Sequence, residues 1–208
     1  KNPQHGCFLV YSKSMEQNTL TALFDWGGVL APSDNGIASE ILSNEYDVNV
    51  DAFRKYCKNN EDSYGDTDED GGFLELASKE FDIPADAIRD ALNAAHPHDG
   101  YELAKKVAEK SPTHLVSNQI KFRTDYIKEN FDMSFFGKTY FSNEIQLLKP
   151  REAFFEYVLN DLGKKAQECV FIDDNVDNIE TAKKMGFHVI HVRSVEQMQQ
   201  ELVALGLL

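Results

Sequence analysis

Four short apolar runs stand out along the chain, and each is followed by polar residues. The runs are continuous, whereas a strand with one face in water alternates apolar and polar positions. Continuous runs are typical of parallel strands that are covered by helices on both faces of a sheet. The predicted strands are Leu20–Phe24, Thr113–Ser117, Cys169–Asp173 and His188–Val192, with a weaker fifth at Thr139–Ser142.

Helical periodicity fills the intervals between these runs from about Gly100 onward. Apolar residues recur three and four positions apart, which places them on one face of a helix. Two of the patterns stop at Gly163 and Gly186, and glycine commonly ends a helix. Alternating strands and helices predict an α/β fold with a Rossmann-like parallel sheet at its core. The predicted helices are Gly100–Lys110, Lys121–Phe131, Arg151–Gly163 and Asn175–Gly186.

The interval 33–99 differs from the rest, because it carries four helical patterns and no convincing strand. It interrupts the α/β pattern directly after the first strand. We therefore predict a helical cap over 33–99 and an α/β core over 15–32 and 100–208. Met15 is a candidate native start, in which case residues 1–14 are an extension or an expression remnant.

The composition narrows the classes of partner. The 208 residues suit one domain with an insertion, and 35 acidic against 21 basic residues give a net charge of −14. This charge argues against nucleic acid and anionic membranes, since both attract basic surfaces. Three scattered cysteines favour a reducing cytosol over a disulfide framework, and no apolar run approaches the roughly 18–20 residues of a membrane helix. We expect a cytoplasmic protein, with its oligomeric state left open.

Polar side chains end the predicted strands, and one further lysine precedes a helix. In open α/β sheets, ligands bind at the carboxyl ends of the strands. If these strands are neighbours, two acidic positions, a hydroxyl and a lysine converge on one crevice. The residues are Asp25, Ser117, Asn118, Lys149, Asp173 and Asp174.

This set suits phosphoryl chemistry with a hard cation. Asp25 and Asp174 can hold Mg²⁺, which typically takes one or two carboxylates, waters and a substrate phosphate. Lys149 supplies a point charge for a phosphoryl oxygen, and Ser117 supplies a hydroxyl donor. A carboxylate near a bound phosphoryl group can attack it and form an aspartyl-phosphate. The glycines that follow Asp25 let the backbone approach a phosphate closely.

Four motifs in this order resemble the haloacid dehalogenase superfamily of hydrolases, in the subclass with a helical cap after the first motif. Each motif is weak alone, whereas the ordered set is specific. The first also looks like the D-x-G form found in some bacterial sugar-1-phosphate phosphatases of the superfamily. The motifs are "LFDWGGVL", "HLVSNQ", "LLKP" and "VFIDDNVDNIETAKKMGF", which together span most of the chain.

The resemblance implies a Mg²⁺ site and a nucleophile. Asp25 would be the nucleophile and a metal ligand, and the backbone carbonyl of Gly27 would be a second ligand. Asp174 would bind the metal directly, and Asp173 would act directly or through water. The implied activity is a Mg²⁺-dependent phosphohydrolase that acts on a small phosphorylated metabolite, such as a sugar phosphate.

The resemblance also implies a phosphate site. Ser117 and Lys149 would bind the phosphoryl group, and Asn118 would help to shape that site. Asn178 would support the loop of the last motif. Trp26 lies beside the nucleophile, where it either lines the substrate pocket or packs under the cap, and we include it among the substrate-binding candidates.

Gly27 departs from the pattern of the family. In most of its phosphatases this residue is a second Asp, which protonates the leaving group and then activates water. Proton transfer of this kind contributes about 10²–10⁴-fold to a rate. Three alternatives follow: the substrate has a good leaving group, a residue near the cap junctions replaces the acid, or the protein binds a ligand or partner without catalysis. The candidate replacements are Asp34, His96, His98 and Asp99.

Three further patterns have simpler interpretations. A dehalogenase would use the same nucleophile without the second Asp and without Mg²⁺, but the acidic pair Asp173–Asp174 favours a metal and phosphate. The segment Asp66–Ala77 begins like a calcium loop, yet Ala77 stands where a bidentate Glu belongs, so we interpret it as a solvated acidic loop. Arg123 is interpreted as a surface residue rather than a substrate contact.

Overall fold

The fold is built around one parallel sheet, as shown by a computed structural model that describes residues 19–60 and 72–208. The five strands are β1 Thr21–Phe24, β2 Thr113–Ser117, β3 Thr139–Phe141, β4 Cys169–Asp173 and β5 His188–His191. They lie in the order β3-β2-β1-β4-β5, and every neighbouring pair is parallel. Every strand predicted from the apolar runs is present, with ends that agree to within one residue.

Helices connect the strands and cover the sheet. The carboxyl-terminal helix and the short helix after β3 were not predicted. In chain order the helices are α1 Asp34–Tyr46, α2 Val50–Asn59, α3 Gly72–Phe81, α4 Ala85–Asn93, α5 Asp99–Ala108, α6 Lys121–Asn130, α7 Ser142–Ile145, α8 Glu152–Leu162, α9 Val176–Met185 and α10 Val195–Ala204, with a 3-10 turn at Ala166–Glu168. Among the described residues, each helix is too short or too polar to cross a bilayer.

The sheet is buried on both faces, which explains the continuous apolar runs. Successive residues of a strand point to opposite faces. Ala22 and Phe24 pack with α5 and α10 in one apolar cluster, and Leu23 packs with α8 and α9 in another. Both faces of β1 therefore need apolar residues, and the α/β fold with a Rossmann-like parallel sheet is confirmed.

Helices α1–α4 share an apolar cluster of their own. Its fully buried side chains include Leu42, Phe53 and Ile88. Ile120 and Leu148, which flank the polar ends of the core motifs, belong to the same cluster. The four helices therefore lie against the carboxyl ends of the strands. Their status as a separate cap with boundaries at 33 and 99 stays a prediction.

Two helix ends agree with the sequence, and one helix face does not. Gly163 and Gly186 follow α8 and α9 with left-handed φ values of 63° and 93°, as expected for glycine after a helix. In α6 the residues that face the interior are Arg123, Thr124 and Ile127, whereas the helical pattern predicts Phe122 and Tyr126 on the same face as Ile127. The predicted extension 1–14 and residues 66–71 of the acidic segment lie outside the described residues, whereas residues 72–77 of that segment belong to α3.

Candidate active site

The strand order brings the predicted side chains to one edge of the sheet. β1 lies at the centre, with β2 and β4 as its direct neighbours. Asp25 follows β1, and its backbone N–H donates to the carbonyl oxygen of Ile172 at 2.9 Å. Ser117 ends β2 and Asp173 ends β4. Three polar strand ends therefore lie side by side at the carboxyl edge, where open α/β sheets bind ligands.

A cavity of about 300 Å³ opens at this edge. Most of the predicted site residues line it, whereas Trp26 and Asp173 do not. The inserted helices supply further walls, among them the side chains of Leu92 and Phe73. The predicted residues that line the cavity are Asp25, Gly27, Ser117, Asn118, Lys149, Asp174 and Asn178.

Lys149 is a buried cation that lines this cavity. Its Nζ lies 2.9 Å from Oδ1 of Asp25 and donates to Oδ2 of Asp173 at 2.7 Å and to the carbonyl oxygen of Val116 at 3.0 Å. Burial alone lowers the pKa of this lysine, but the charges of Asp173 and Asp25 outweigh it and leave the pKa raised. Lys149 is therefore held as an ammonium group beside Asp25.

Asp173 is fully buried, and both of its oxygens are occupied. Oδ1 accepts from the backbone N–H of Asn175 at 2.8 Å, and Asn178 donates to both oxygens at 3.0 Å. Oδ2 also accepts from Lys149. Because both oxygens of Asp173 accept hydrogen bonds, this carboxylate fixes the orientation of its donors. It thereby links the ammonium of Lys149 to the start of α9.

Three carboxylates crowd together where Asp25, Asp173 and Asp174 meet. Each offers an oxygen within 4.8 Å of the others. Burial raises the pKa of Asp25 to about 7, with Asp173 and Asp174 adding to the rise and Lys149 opposing it. Burial and the charge of Asp173 raise the pKa of Asp174 to about 6. Hard oxygen donors that need a further cation fit the coordination that Mg²⁺ prefers.

The two glycines after Asp25 sit in opposite surroundings. Gly28 has a left-handed φ of 73°, and a Cβ on it would lie 2.2 Å from Oδ2 of Asp174, so a side chain there would strain the backbone and displace the carboxylate of Asp174. Gly27 has ordinary backbone geometry, and a Cβ on it would meet nothing within 4 Å in the described parts of the chain. The position where an acid is missing is therefore open space at the cavity wall.

Asn118 holds the backbone of Lys149. Its Nδ2 donates to the carbonyl oxygen of Lys149 at 2.9 Å, and its Oδ1 accepts from the N–H of Lys149 at 3.0 Å. Both ends of the amide are used, so this side chain positions the lysine loop at the cavity.

Trp26 does not occupy its predicted place in the substrate pocket. It is fully buried, and its ring packs against Tyr101 and Phe131, with centroids 6.1 and 5.5 Å away. Substrate contact is therefore the wrong alternative, and the ring packs in the cluster of the core rather than under the inserted helices. The physical reason is that the chain turns its side chain into the apolar cluster as the neighbouring Asp25 faces the cavity.

Of the four candidate replacements for the missing acid, Asp34 lines the cavity and the others do not. His96 packs edge-on against Tyr126 and Phe131. His98 caps α5, where its Nδ1 accepts from the N–H of Gly100 at 3.0 Å. Asp99 is the first residue of α5.

Arg123 was expected at the surface, and that expectation is wrong. Its side chain is 1% exposed, and it lines the cavity. Its Nη2 lies 2.9 Å from Oδ1 of Asp34 and its Nε lies 3.1 Å from Oδ2. The available signal was spacing, because Arg123 precedes Ile127 by four residues and so shares its helix face.

Known proteins resemble this chain over short sequence segments. A glyceraldehyde 3-phosphate phosphatase from Methanocaldococcus jannaschii is 39% identical over 59 residues, which are 28% of this chain and 26% of that protein. The drimenol cyclase drtB from Aspergillus calidoustus is 34% identical over 71 residues, which are 34% of this chain and 13% of that protein. The matches thus cover less than a third of either relative.

Solved structures resemble this chain over most of its length. A HAD family enzyme from Bacteroides thetaiotaomicron, in complex with magnesium, has a TM-score of 0.70 and 23% identity, and the match covers 85% of this chain and 94% of that one. The L-2-haloacid dehalogenase from Xanthobacter autotrophicus has a TM-score of 0.62 and 18% identity, covering 88% and 82%. At these identities the likeness is one of fold.

The family model of haloacid dehalogenase-like hydrolases matches residues 19–186. This segment starts just before β1 and ends after α9. It includes the first three motifs and all but the last residue of the fourth, and so contains Asp25 and the acidic pair Asp173–Asp174. The chain belongs to the haloacid dehalogenase-like hydrolases.

Proposed function

We propose that this hydrolase is a Mg²⁺-dependent phosphatase that cleaves a small phosphorylated metabolite through an aspartyl-phosphate. The observation that carries the proposal is the buried ammonium of Lys149, 2.9 Å from the carboxylate of Asp25. Ser117 and Asp174 line the same cavity. A nucleophilic carboxylate next to a fixed cation suits an anionic phosphoryl group, because the cation offsets charge on both.

The carboxylates provide the metal site. Asp25, Asp174 and the carbonyl oxygen of Gly27 would hold Mg²⁺, with Asp173 behind them as an orienting group. When bound, the ion would offset negative charge on the carboxylates and the phosphoryl oxygens. The fold relative from Bacteroides thetaiotaomicron supports this assignment, because it has been crystallised both with magnesium and with magnesium and inorganic phosphate.

The reaction has two steps in this proposal. An oxygen of Asp25 attacks phosphorus, the bond from phosphorus to the leaving oxygen breaks, and the leaving oxygen takes the bonding electrons and a proton from water. A second water then attacks the aspartyl-phosphate, which releases inorganic phosphate and restores the carboxylate of Asp25. Lys149 and Ser117 hold the phosphoryl oxygens in both steps.

The open space at Gly27 bears on which leaving groups the enzyme can release, because no acid is placed there to protonate them. Apart from its two chain neighbours, no described atom lies within 4 Å of the position of a Cβ at Gly27, and the carboxylate of Asp34 is engaged by Arg123. The leaving group must therefore depart without a placed acid, which favours anomeric sugar phosphates and aryl phosphates over primary alkyl phosphates. The same space favours a second candidate, a protein on this scaffold that binds a ligand or a partner without catalysis.

One assay separates the candidates. Wild type and Asp25→Asn are incubated with Mg²⁺ or EDTA and a panel of anomeric sugar, aryl and alkyl phosphates, with Asp125→Asn on the exposed face of α6 as a matched control. We expect phosphate release that needs Mg²⁺ and vanishes in Asp25→Asn alone. No release from any substrate would leave the binding role as the better account. A parallel incubation with a 2-chloro acid tests the dehalogenase, which would release chloride without Mg²⁺.

The order of substrates tests the argument about the leaving group. Anomeric and aryl phosphates should be cleaved faster than primary alkyl phosphates, because proton transfer from a placed acid contributes about 10²–10⁴-fold where the leaving group is poor. The comparison is one of kcat/KM across the panel. Equal values for both classes would show that the enzyme protonates its leaving group by another route.

A further inference from the structure

A second buried ion pair lines the cavity, and none of the four sequence motifs includes it. It joins Arg123 of α6 to Asp34 at the start of α1, 89 positions apart. The side chain of Arg123 is 1% exposed and that of Asp34 is 12% exposed. Both residues line the cavity, so of the two groups the carboxylate is the more open to a ligand.

The guanidinium of Arg123 is already engaged by the protein. Nε and Nη2 donate to the two oxygens of Asp34. Nη2 also donates to the carbonyl oxygen of Ala95 at 2.8 Å, and Nη1 lies 3.5 Å from Oδ1 of Asn93. Arg123 thus binds the start and the end of the inserted interval to one core helix. An anionic group of a substrate has little of this guanidinium left to contact.

Asp34 retains capacity to accept one more hydrogen bond. An ionised carboxylate has about four acceptor sites. Arg123 occupies one on each oxygen, and Nε2 of Gln119 donates to Oδ2 at 3.2 Å. Gln119 is itself fixed, since its backbone N–H donates to Oγ of Ser142 at 2.9 Å and that hydroxyl donates back to its carbonyl oxygen at 3.2 Å. A rigid acceptor therefore faces the cavity.

The chemistry of this acceptor selects its partner. A carboxylate in an ion pair repels a second anion, but it accepts a hydrogen bond from a neutral hydroxyl well. Ser33 and Asn35 add polar groups on the same wall, and Leu92 adds an apolar one. Polar and apolar faces together suit a polyhydroxylated ring.

We propose that Asp34 is a specificity-determining residue that accepts a hydrogen bond from a hydroxyl of the substrate's leaving group, and that Arg123 is the positioning residue that orients it. The inference rests on the proposed phosphatase function and names its substrate class. That class is phosphate monoesters whose leaving group carries free hydroxyls, as sugar phosphates do.

The test compares two substrates in one enzyme. Hexose 1-phosphates offer hydroxyls to Asp34, and 4-nitrophenyl phosphate offers none. In Asp34→Asn we expect the ratio of kcat/KM for the sugar phosphate to kcat/KM for the aryl phosphate to fall about 10-fold or more, the effect of losing a hydrogen bond to a charged group. The loss should come from a higher KM for the sugar. Asp125→Asn, on the exposed face of α6, should leave the ratio unchanged.

Variants of Arg123 test the positioning role. Arg123→Lys keeps the charge but loses the two-point contact, so the same ratio should fall by a smaller factor. The double variant Asp34→Asn with Arg123→Gln removes both charges, so no buried charge is left alone. It should show the full fall in the ratio while keeping a cooperative thermal transition.

The outcomes separate this inference from the function on which it rests. An unchanged ratio in Asp34→Asn and in the double variant overturns the inference, as does an equal loss on both substrates, which a merely structural role would produce. Cleavage of aryl phosphates alone by the wild type overturns the inference and leaves the phosphatase in place. No cleavage of either substrate overturns both.

Discussion

Two buried cations, Lys149 and Arg123, line the same cavity, and their partners come from different parts of the fold. The partners of Lys149 are Asp25, Asp173 and the carbonyl oxygen of Val116, which all belong to the strands or their ends. Arg123 takes its partners from the start of α1 and from the chain after α4. The first network therefore depends on the sheet, and the second depends on how the inserted helices lie against the core.

This difference separates the residues proposed for the reaction from those proposed for substrate specificity. Parallel pairing fixes β1 against β4 and β2, so the groups around Lys149 are held by backbone hydrogen bonds. The groups around Arg123 are held by side chains that bridge 89 positions of sequence. In the proposed function, the groups around Lys149 at the strand ends carry out the reaction. The groups around Arg123, where the inserted helices meet the core, determine which substrate binds.

The largest effect is expected at the first cation. Lys149→Met should lower kcat/KM about 10²- to 10³-fold or more, as the loss of one charge-stabilising group does in other enzymes. Phosphatase kinetics at saturating Mg²⁺ would measure it, with circular dichroism to confirm folding. Lys138→Met, which removes an exposed ammonium paired with Asp161, is the matched control. A variant that keeps a tenth of the activity would show that Lys149 is not part of the catalytic set.

The second cation should matter for stability. Arg123→Met leaves the carboxylate of Asp34 without its cationic partner, and breaking a buried ion pair in this way costs about 3–5 kcal/mol. Unfolding in urea would measure the change in the free energy of unfolding. Arg123→Met combined with Asp34→Leu should recover most of the loss, because no charge is left unpaired. Asp125→Asn, which removes the exposed ion pair of Asp125 with Lys121, is the control. A loss no larger than that of the control would mean that apolar packing alone holds the inserted helices against α6.

The empty wall beside the first cation allows a gain of function. Gly27→Asp adds a carboxylate at a position where a Cβ meets no described atom within 4 Å, so kcat/KM for primary alkyl phosphates should rise about 10-fold or more. Aryl phosphates should gain less, because their leaving group needs no proton. Gly27→Asn matches the size without the acid and should give no gain. A gain with Asn, or none with Asp, would count against a missing acid as the cause of the substrate preference.

The smallest effect concerns the sheet itself, away from both cations. His114 of β2 is buried, and burial followed by the charge of Lys138 lowers its pKa. Below about pH 6.5 the imidazole of His114 binds a proton more readily in the unfolded chain than in the folded protein. The contribution of this group to the free energy of unfolding therefore falls as the pH falls. The slope is at most about 1.4 kcal/mol per pH unit.

His114→Gln should therefore flatten the loss of melting temperature between pH 7 and pH 5. His188→Gln, which changes an exposed histidine at the start of β5, is the control. Parallel curves for wild type and His114→Gln would show that this histidine takes up its proton in the folded protein as well.

The sheet and the first network were predictable because each depends on local patterns. A strand that is covered on both faces must be apolar throughout, as Leu23 and Phe24 show by packing in opposite clusters. Polar residues at the ends of parallel strands must then meet at one edge, which placed Asp25 next to Asp173. The carboxyl-terminal helix was overlooked although Met198 and Leu202 are buried four positions apart.

The errors arose where a side chain's surroundings come from distant parts of the chain. Trp26 and Arg123 were assigned by their neighbours in sequence, as a pocket residue and a surface residue. Burying a guanidinium is costly unless it is paired, and the partner of Arg123 comes from another element. Polarity alone therefore gave the wrong environment for Arg123.

By itself, the sequence determined the order of strands and helices, the family motifs and the acid that is absent at Gly27, since these follow from residue type and spacing. Only the tertiary structure shows that the space at Gly27 is open and that Asp173 is buried beside Lys149. It also shows that Asp34 lines the cavity while its carboxylate is paired with Arg123. The physical reason is that burial and pairing are properties of contacts between distant segments, and these contacts exist once the sheet and the inserted helices have packed together.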